Sequence, residues 1–241
     1  VTKMGAMDIV VHLDDTPQAQ TRLGVTAGLA AKMQARITAA AQIEPDQATL
    51  WPGQDSVVEW RRLGALRQFG AHIRHADMAV VGQPLDNGAD HVTDFIMNGG
   101  RPVLVVPQYG RFDHAGGTIL VAWNGSREAT RAVYDALPLL ACAERVVILT
   151  LDGHPSDQSV GENPGADIAL VLARKGVRVE LVHSTAGELD VGNALLSRCV
   201  EIGADLLVMG AFSRHPLRER ALGGATHHIL KHMTLPVLFS H

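Results

Sequence analysis

Short apolar runs alternate with longer amphipathic runs along this chain, and the alternation starts over near its middle. A short apolar run bounded by turn residues reads as a strand buried on both faces. A run with apolar positions three and four apart reads as a helix that covers it. Ile9-Val10-Val11-His12-Leu13 opens the first series, followed by Asp14-Asp15-Thr16. Leu23, Ala27, Ala30 and Ala31 put an apolar helical face on Pro17 to Met33. Strands are expected at Ile37 to Ile43, Val57 to Trp60, Met78 to Val81 and Pro102 to Val106, with a helix at Ala65 to His75. After Gly116-Gly117 the order returns with strand Ile119 to Trp123, the turn Asn124-Gly125-Ser126 and a helix from Arg127 to Leu140. Strand Val146 to Leu151, helix Ala166 to Lys175, strand Val177 to Val182 and helix Leu189 to Ile202 follow. Strand Leu206 to Met209, helix Thr226 to His232 and strand Val237 to Phe239 close the chain. Strands that alternate with helices predict parallel, helix-covered sheets.

Two local pairs set the register of the repeat. Ala76-Asp77-Met78-Ala79-Val80-Val81-Gly82 matches Ala204-Asp205-Leu206-Leu207-Val208-Met209-Gly210, and Arg101-Pro102-Val103-Leu104-Val105 matches Leu235-Pro236-Val237-Leu238-Phe239. The offset is 110 residues at Ile9 and Ile119, 128 at Asp77 and Asp205, and 134 at Pro102 and Pro236. The first half is thus shorter by 18 residues before Asp77 and by 6 after it. The larger deficit equals about 27 Å of helix. It falls between Ile43 and Ser56, where the second half has Ala166 to Lys175. Glu44 to Asp55 contains Pro45, Pro52 and Gly53 and does not read as a helix. A parallel crossover normally needs a dozen or more residues, so this connection is either irregular or incomplete. The polar, glycine-containing stretch from Gln108 to Gly117 separates two expected domains, 1–108 and 117–241.

A length of 241 residues suits two small domains, and a hydrophobic share of 46% supplies their cores. No apolar run approaches the roughly 20 residues of a membrane-spanning helix. The first residues do not pair a basic segment with an apolar one, so a cytoplasmic protein is expected. A net charge of -4 argues against a nucleic-acid partner. Cys142 and Cys199 fall in helical segments without CxxC spacing and read as buried or half-buried thiols. His228 and His232 have a spacing that can ligate zinc, but no H-E-x-x-H pattern or third ligand accompanies them. They read as solvent-facing residues that suit a helix C-terminus, and no metal is expected. Arg214, Arg218 and Arg220 suit phosphates, a partner or a solvated face with Glu219 interspersed. G-x-S-x-G, kinase and P-loop signatures are absent, and no nucleophile and base stand together.

The segment Asp205 to Thr226 combines Gly210, Ser213, Gly223, Gly224 and Thr226 between a strand end and the last helix. Glycines let the backbone approach phosphate oxygens closely. N–H groups at the following helix N-terminus would then donate to the anion. In an open parallel sheet such a site belongs at the carboxyl ends of the strands.

This segment resembles the G-x2-G-x9-G-[S/T] nucleotide loop of universal stress proteins. His227 to Leu238 resembles that family's last helix and strand, and Ile119 to Ser126 resembles its first strand and V-D-G-S turn. The resemblance covers residues 117–241; over 1–107 it is weaker but in register, through Val11 to Thr16 and Arg101 to Pro107. It implies a Rossmann-like architecture of the adenine nucleotide alpha hydrolase type. Two open, five-stranded parallel sheets with helices on both faces would stand in tandem, the first half degenerate. It also implies an intrachain pseudo-dimer through the last strands, Val103 to Val106 and Val237 to Phe239.

The resemblance further implies adenine nucleotide (ATP, ADP or AMP), with or without Mg, as ligand. Asn124 would contact the ribose and Leu151 the base, while Gly210, Ser213, Gly223, Gly224 and Thr226 would surround the phosphates. Thr226 would donate a hydroxyl to a phosphate or cap the helix. Ser213 replaces the family's second glycine and adds a Cβ; Asn124 replaces its usual Asp and lacks the charge. The implied role is a nucleotide-responsive binding or scaffold protein in stress adaptation. The alternatives are an interaction module of the same fold without nucleotide and a weak, slow ATPase with no assignable catalytic residue. The implied partners are a nucleotide and another protein, with no nucleic acid or membrane, and the chain would act as a monomer or homodimer. In the first half, Asp14 is kept but Gly82-Gln83-Pro84 replaces the loop start, and Gly99-Gly100 reads as a turn. That half is expected to be a structural partner.

Overall fold

The computed structural model of the chain describes residues 7–42, 58–84, 91–152, 165–186, 190–212 and 224–241. The chain divides into two compact units, Val1–Ala115 and Gly116–His241. In the first, the described elements are β1 (Asp8–Leu13), α1 (Gln18–Met33), β2 (Arg36–Ala41), β3 (Val58–Arg62), α2 (Phe69–Ile73), β4 (Met78–Gly82), α3 (His91–Asn98) and β5 (Val103–Val106). All the pairings run parallel, in the order β3-β2-β1-β4-β5. Ile9, Val11, Ala79, Val80, Leu104 and Val105 have no exposed surface, as central strands covered on both faces require.

In the second unit, β6 (Thr118–Ala122), α4 (Arg127–Asp135), α5 (Leu137–Cys142), β7 (Arg145–Asp152) and α6 (Ala166–Arg174) come first. β8 (Val179–Thr185), α7 (Val191–Ile202), β9 (Leu206–Gly210), α8 (Ala225–His232) and β10 (Val237–Ser240) complete it. The order is β10-β9-β6-β7-β8, again with parallel pairings. Each unit is therefore an open, five-stranded parallel α/β sheet. In each, the connection reverses direction beside the first strand, between β1 and β4 and between β6 and β9. Ligands of open α/β sheets enter at such a switch point, on the carboxyl side.

Several local expectations change. The helix from Arg127 to Leu140 is two helices that meet at Ala136. Pro138 explains the break, because it has no N–H to give the preceding turn and its ring crowds that turn's carbonyl. Ala65 to His75 is a 3-10 turn over Leu66–Gln68 followed by the short α2. Helix α3 was not anticipated, although Val92, Phe95 and Ile96 bury one helical face. β2 and β3 pair in parallel from Ile37↔Val58 to Ala41↔Arg62; the connection Glu44 to Asp55 lies outside the described residues. Cys142 is exposed rather than buried, because it ends the short α5 at the surface. Cys199 is buried, and burial pushes its thiol up to about 12.

Candidate functional site

At the carboxyl end of β6 the chain turns sharply into α4. Gly125 has φ 70, a left-handed conformation that glycine adopts without a Cβ clash. Asn124 Oδ1 accepts from the Ser126 N–H at 3.1 Å, which holds the turn. Ser126 then caps α4, its Oγ accepting from the Ala129 N–H at 3.1 Å. Gly210 ends the neighbouring β9, against the first turn of α4. A Cβ there would lie 2.5 Å from Ala129 N and from the Glu128 carbonyl carbon. Gly210 is thus required by strand–helix packing, a role independent of any ligand. Glu128 is 6% exposed and was not singled out in the sequence. The α4 N-terminus favours its charge, and Arg127 Nη2 stands 3.3 Å from its Oε1.

Thr226 lies inside the first turn of α8 and is 5% exposed. Its Oγ1 accepts from the Phe212 N–H at 3.1 Å, joining the segment after β9 to the last helix. Phe212 itself has φ 50, which is strained for a residue with a Cβ. The helix-cap reading of Thr226 is therefore corrected: the N-cap is Gly224, which has no side chain to cap α8. The first-turn amides of a helix point out of its N-terminus, an end that suits an anion. Leu151 is half-buried near the end of β7, opposite Ser184.

Asn124, Leu151 and Gly210 thus share the carboxyl edge of adjacent strands, and Gly224 and Thr226 open the helix tied to that edge through Phe212. Ser213 and Gly223 lie outside the described residues, as do Arg214, Arg218 and Arg220. His228 is not solvent-facing. It packs on Gly192, where a Cβ would meet its ring at 2.8 Å, and its Nδ1 stands 3.6 Å from Asp190 Oδ1. Among the described residues no group of three or more His, Cys, Asp or Glu could hold a metal ion, and no helix is long and apolar enough to cross a membrane.

The first unit builds a different switch point. Arg22, on α1, is 3% exposed. Its Nε donates to the His12 carbonyl at 3.1 Å and its Nη2 to Asp14 Oδ1 at 2.6 Å. Burial works against the Asp14 charge, but the Arg22 guanidinium and Thr16 overcome it and hold the carboxyl below its usual range. Gly82 ends β4 beneath Arg22, where a Cβ would come within 2.6 Å of Nη1. His12 is 6% exposed, with its ring edge-on to Phe69 at 5.3 Å. Burial, and then Arg22, lowers its pKa to about 4, with Asp14 and Gln42 pulling the other way. His12, Asp14, Thr16, Arg22 and Gly82 line part of a cavity of about 260 Å³. By the repeat offset, Asn124 stands in place of Asp14, Ala122 in place of His12 and Ala132 in place of Arg22. The buried arginine is a property of the first unit.

A family model for the universal stress protein family matches residues 117–241, more than half of the chain. The fold is similar to a crystal structure of a universal stress protein from Archaeoglobus fulgidus, with a TM-score of 0.73. That match has 13% identity and covers 98% of this chain and 99% of the other. A putative universal stress protein from Pseudomonas aeruginosa matches with TM-score 0.62 and 14% identity, over 98% of this chain and 93% of the other. At such identities the two structures speak to the fold alone. No curated protein matches the chain.

Proposed function

The chain belongs to the universal stress protein family, and from that premise we propose that its second unit binds an adenine nucleotide. The protein then works as a nucleotide-responsive binding or scaffold protein in stress adaptation. One observation carries this reading. Asn124 and Gly210 stand at the ends of adjacent strands beside the switch point, with the start of α8, whose N-cap is Gly224, tied to the same edge through Phe212 and Thr226. Amide groups at that helix end suit phosphate oxygens, and the Thr226 hydroxyl retains a hydrogen to donate. Leu151 offers an apolar contact for a base and Asn124 a polar side chain for a ribose. A magnesium ion accompanying the nucleotide would offset phosphate charge near the buried Glu128.

Calorimetric titration of the full chain with ATP, ADP and AMP tests the proposal. Saturating nucleotide at about a hundred times Kd is expected to stabilise the protein by roughly 2.7 kcal/mol. Leu151→Glu is expected to weaken binding at least about tenfold, because it places a carboxylate against the base. No heat and no thermal shift at millimolar nucleotide, with the chain folded, would leave an interaction module of the same fold.

A further inference from the structure

Each unit has a carboxylate close against its switch point, but in a different place. By the repeat offset of 110 residues, Asp14 corresponds to Asn124 and Gln18 to Glu128. The first unit is acidic on the turn and neutral at the start of its helix. The second is neutral on the turn and acidic at the start of α4. Their counter-ions differ as well. Asp14 meets the guanidinium of Arg22, whose side chain is buried. Ala132 stands where Arg22 would be in the second unit. Among the described residues the cation within ion-pair distance of Glu128 is Arg127, at 3.3 Å, and 66% of the Arg127 side chain is exposed. An exposed partner is shared with water and screened by salt, so it offsets a buried charge only in part.

Glu128 also lies close to the place proposed for the phosphates. A Cβ on Gly210 would come within 2.8 Å of Glu128 Cβ. From Gly210 the chain reaches Phe212 in two residues, no more than about 7 Å. The Phe212 N–H then meets Thr226 Oγ1, in the first turn of α8, at 3.1 Å. Such a span is comparable with the Debye length of about 8–10 Å in ordinary salt, and a buried charge is screened less than an exposed one. Like charges at that range repel. ATP brings more phosphate charge to this end of the site than AMP, and adenosine brings none.

We infer that Glu128 is a specificity-determining residue of the second unit, through which the site discriminates among adenine nucleotides by uncompensated phosphate charge. AMP is taken as it is, and ATP is held well only with a cation that offsets its extra charge. The inference rests on the adenine-nucleotide reading of that site. Glu128 needs no contact with the ligand, because its field acts on the phosphates and leaves the base and ribose alone.

Calorimetric titration of the full chain with adenosine, AMP and ATP, each in EDTA and with magnesium, tests this on the unaltered protein, Glu128→Gln and Glu128→Asp. In the unaltered protein ATP is expected to bind at least about tenfold more tightly with magnesium than in EDTA. Glu128→Gln keeps the shape and removes the charge. It should tighten metal-free ATP at least about tenfold, AMP by less, and leave adenosine within about twofold. With magnesium the gain on ATP should shrink to about threefold or less. Glu128→Asp keeps the charge and should keep the original order of affinities. Equal binding of ATP with and without magnesium by the unaltered protein would overturn the inference, whether or not the variants fold. So would an unchanged affinity of Glu128→Gln for metal-free ATP, or an equal change for ATP and adenosine, which would mark a structural role. If adenosine, AMP and ATP all fail to bind the folded, unaltered chain, the nucleotide reading falls and this inference falls with it.

Discussion

Three backbone N–H groups at the start of β6, from Gly116, Gly117 and Thr118, converge on the Asp205 carboxylate at 2.8–3.1 Å. Asp77 does the same more sparingly in the first unit, accepting from the Asp8 N–H at 2.9 Å. The Ala-Asp pair that marks the repeat in the sequence is thus a clamp between strand starts, at the end of the sheet away from the candidate sites. A carboxylate that accepts several N–H groups is worth more than one ordinary bond, and its loss strands the donors. Asp205→Ala is expected to cost about 2–3 kcal/mol in urea unfolding, and Asp205→Asn less, since one acceptor oxygen remains. An equal loss in both variants would assign the role to charge alone. The sequence showed that both aspartates recur, but their partners lie more than sixty residues away and are not legible in it.

At the scale of elements, the two switch points differ in how closely the first helix approaches the fourth strand. In the second unit α4 lies against β9, and only glycine fits at position 210. In the first, the guanidinium of Arg22 fills the corresponding place over Gly82. Gly210→Ala must displace helix backbone and is expected to cost about 1–3 kcal/mol. Gly82→Ala meets the far end of a side chain and should cost less than half as much, with both read from urea midpoints. If Gly210→Ala is no worse than Gly82→Ala, the helix is not held as closely as described. The glycine at 210 was legible in the sequence as a loop residue, but its packing role was not. Helix α3 shows the reverse failure. Val92, Phe95 and Ile96 carry a helical spacing that could have been read, but eight residues beside a glycine pair gave it little weight.

For the whole molecule, His12 ties stability to pH. The unfolded chain binds a proton near the ordinary 6.5, whereas folded His12 does so only at about 4. Between those values the unfolded state holds the extra proton, so stability is full above about pH 6.5 and falls as pH drops toward about 4. The loss reaches roughly 3 kcal/mol. Arg22 and His91 face the ring and oppose its charging, while Asp14 and Gln42 favour it. The depressed Asp14 works in a lower window, below its ordinary 3.8. Urea unfolding at about pH 7 and about pH 4.5 should therefore show a stability difference that shrinks in His12→Ala. A difference unchanged in that variant would place the proton uptake elsewhere.

The alternation of apolar runs, their order and the two-fold repeat were determined by the sequence alone. A strand buried on both faces must be apolar along its length, and a covering helix must be apolar on one side; both are local patterns. That is enough to specify two parallel sheets and to place Asn124 and Gly210 at strand ends. Tertiary structure alone decided that Arg22, His12 and Gly82 line one cavity in the first half. Arg22 reads in sequence as a polar residue within a helix, His12 as an interruption in a strand and Gly82 as the remnant of a lost loop. Three separate elements bring them together, and burial then turns an arginine, an aspartate and a histidine into one charge-balanced pocket, because low dielectric makes each group's partners decisive.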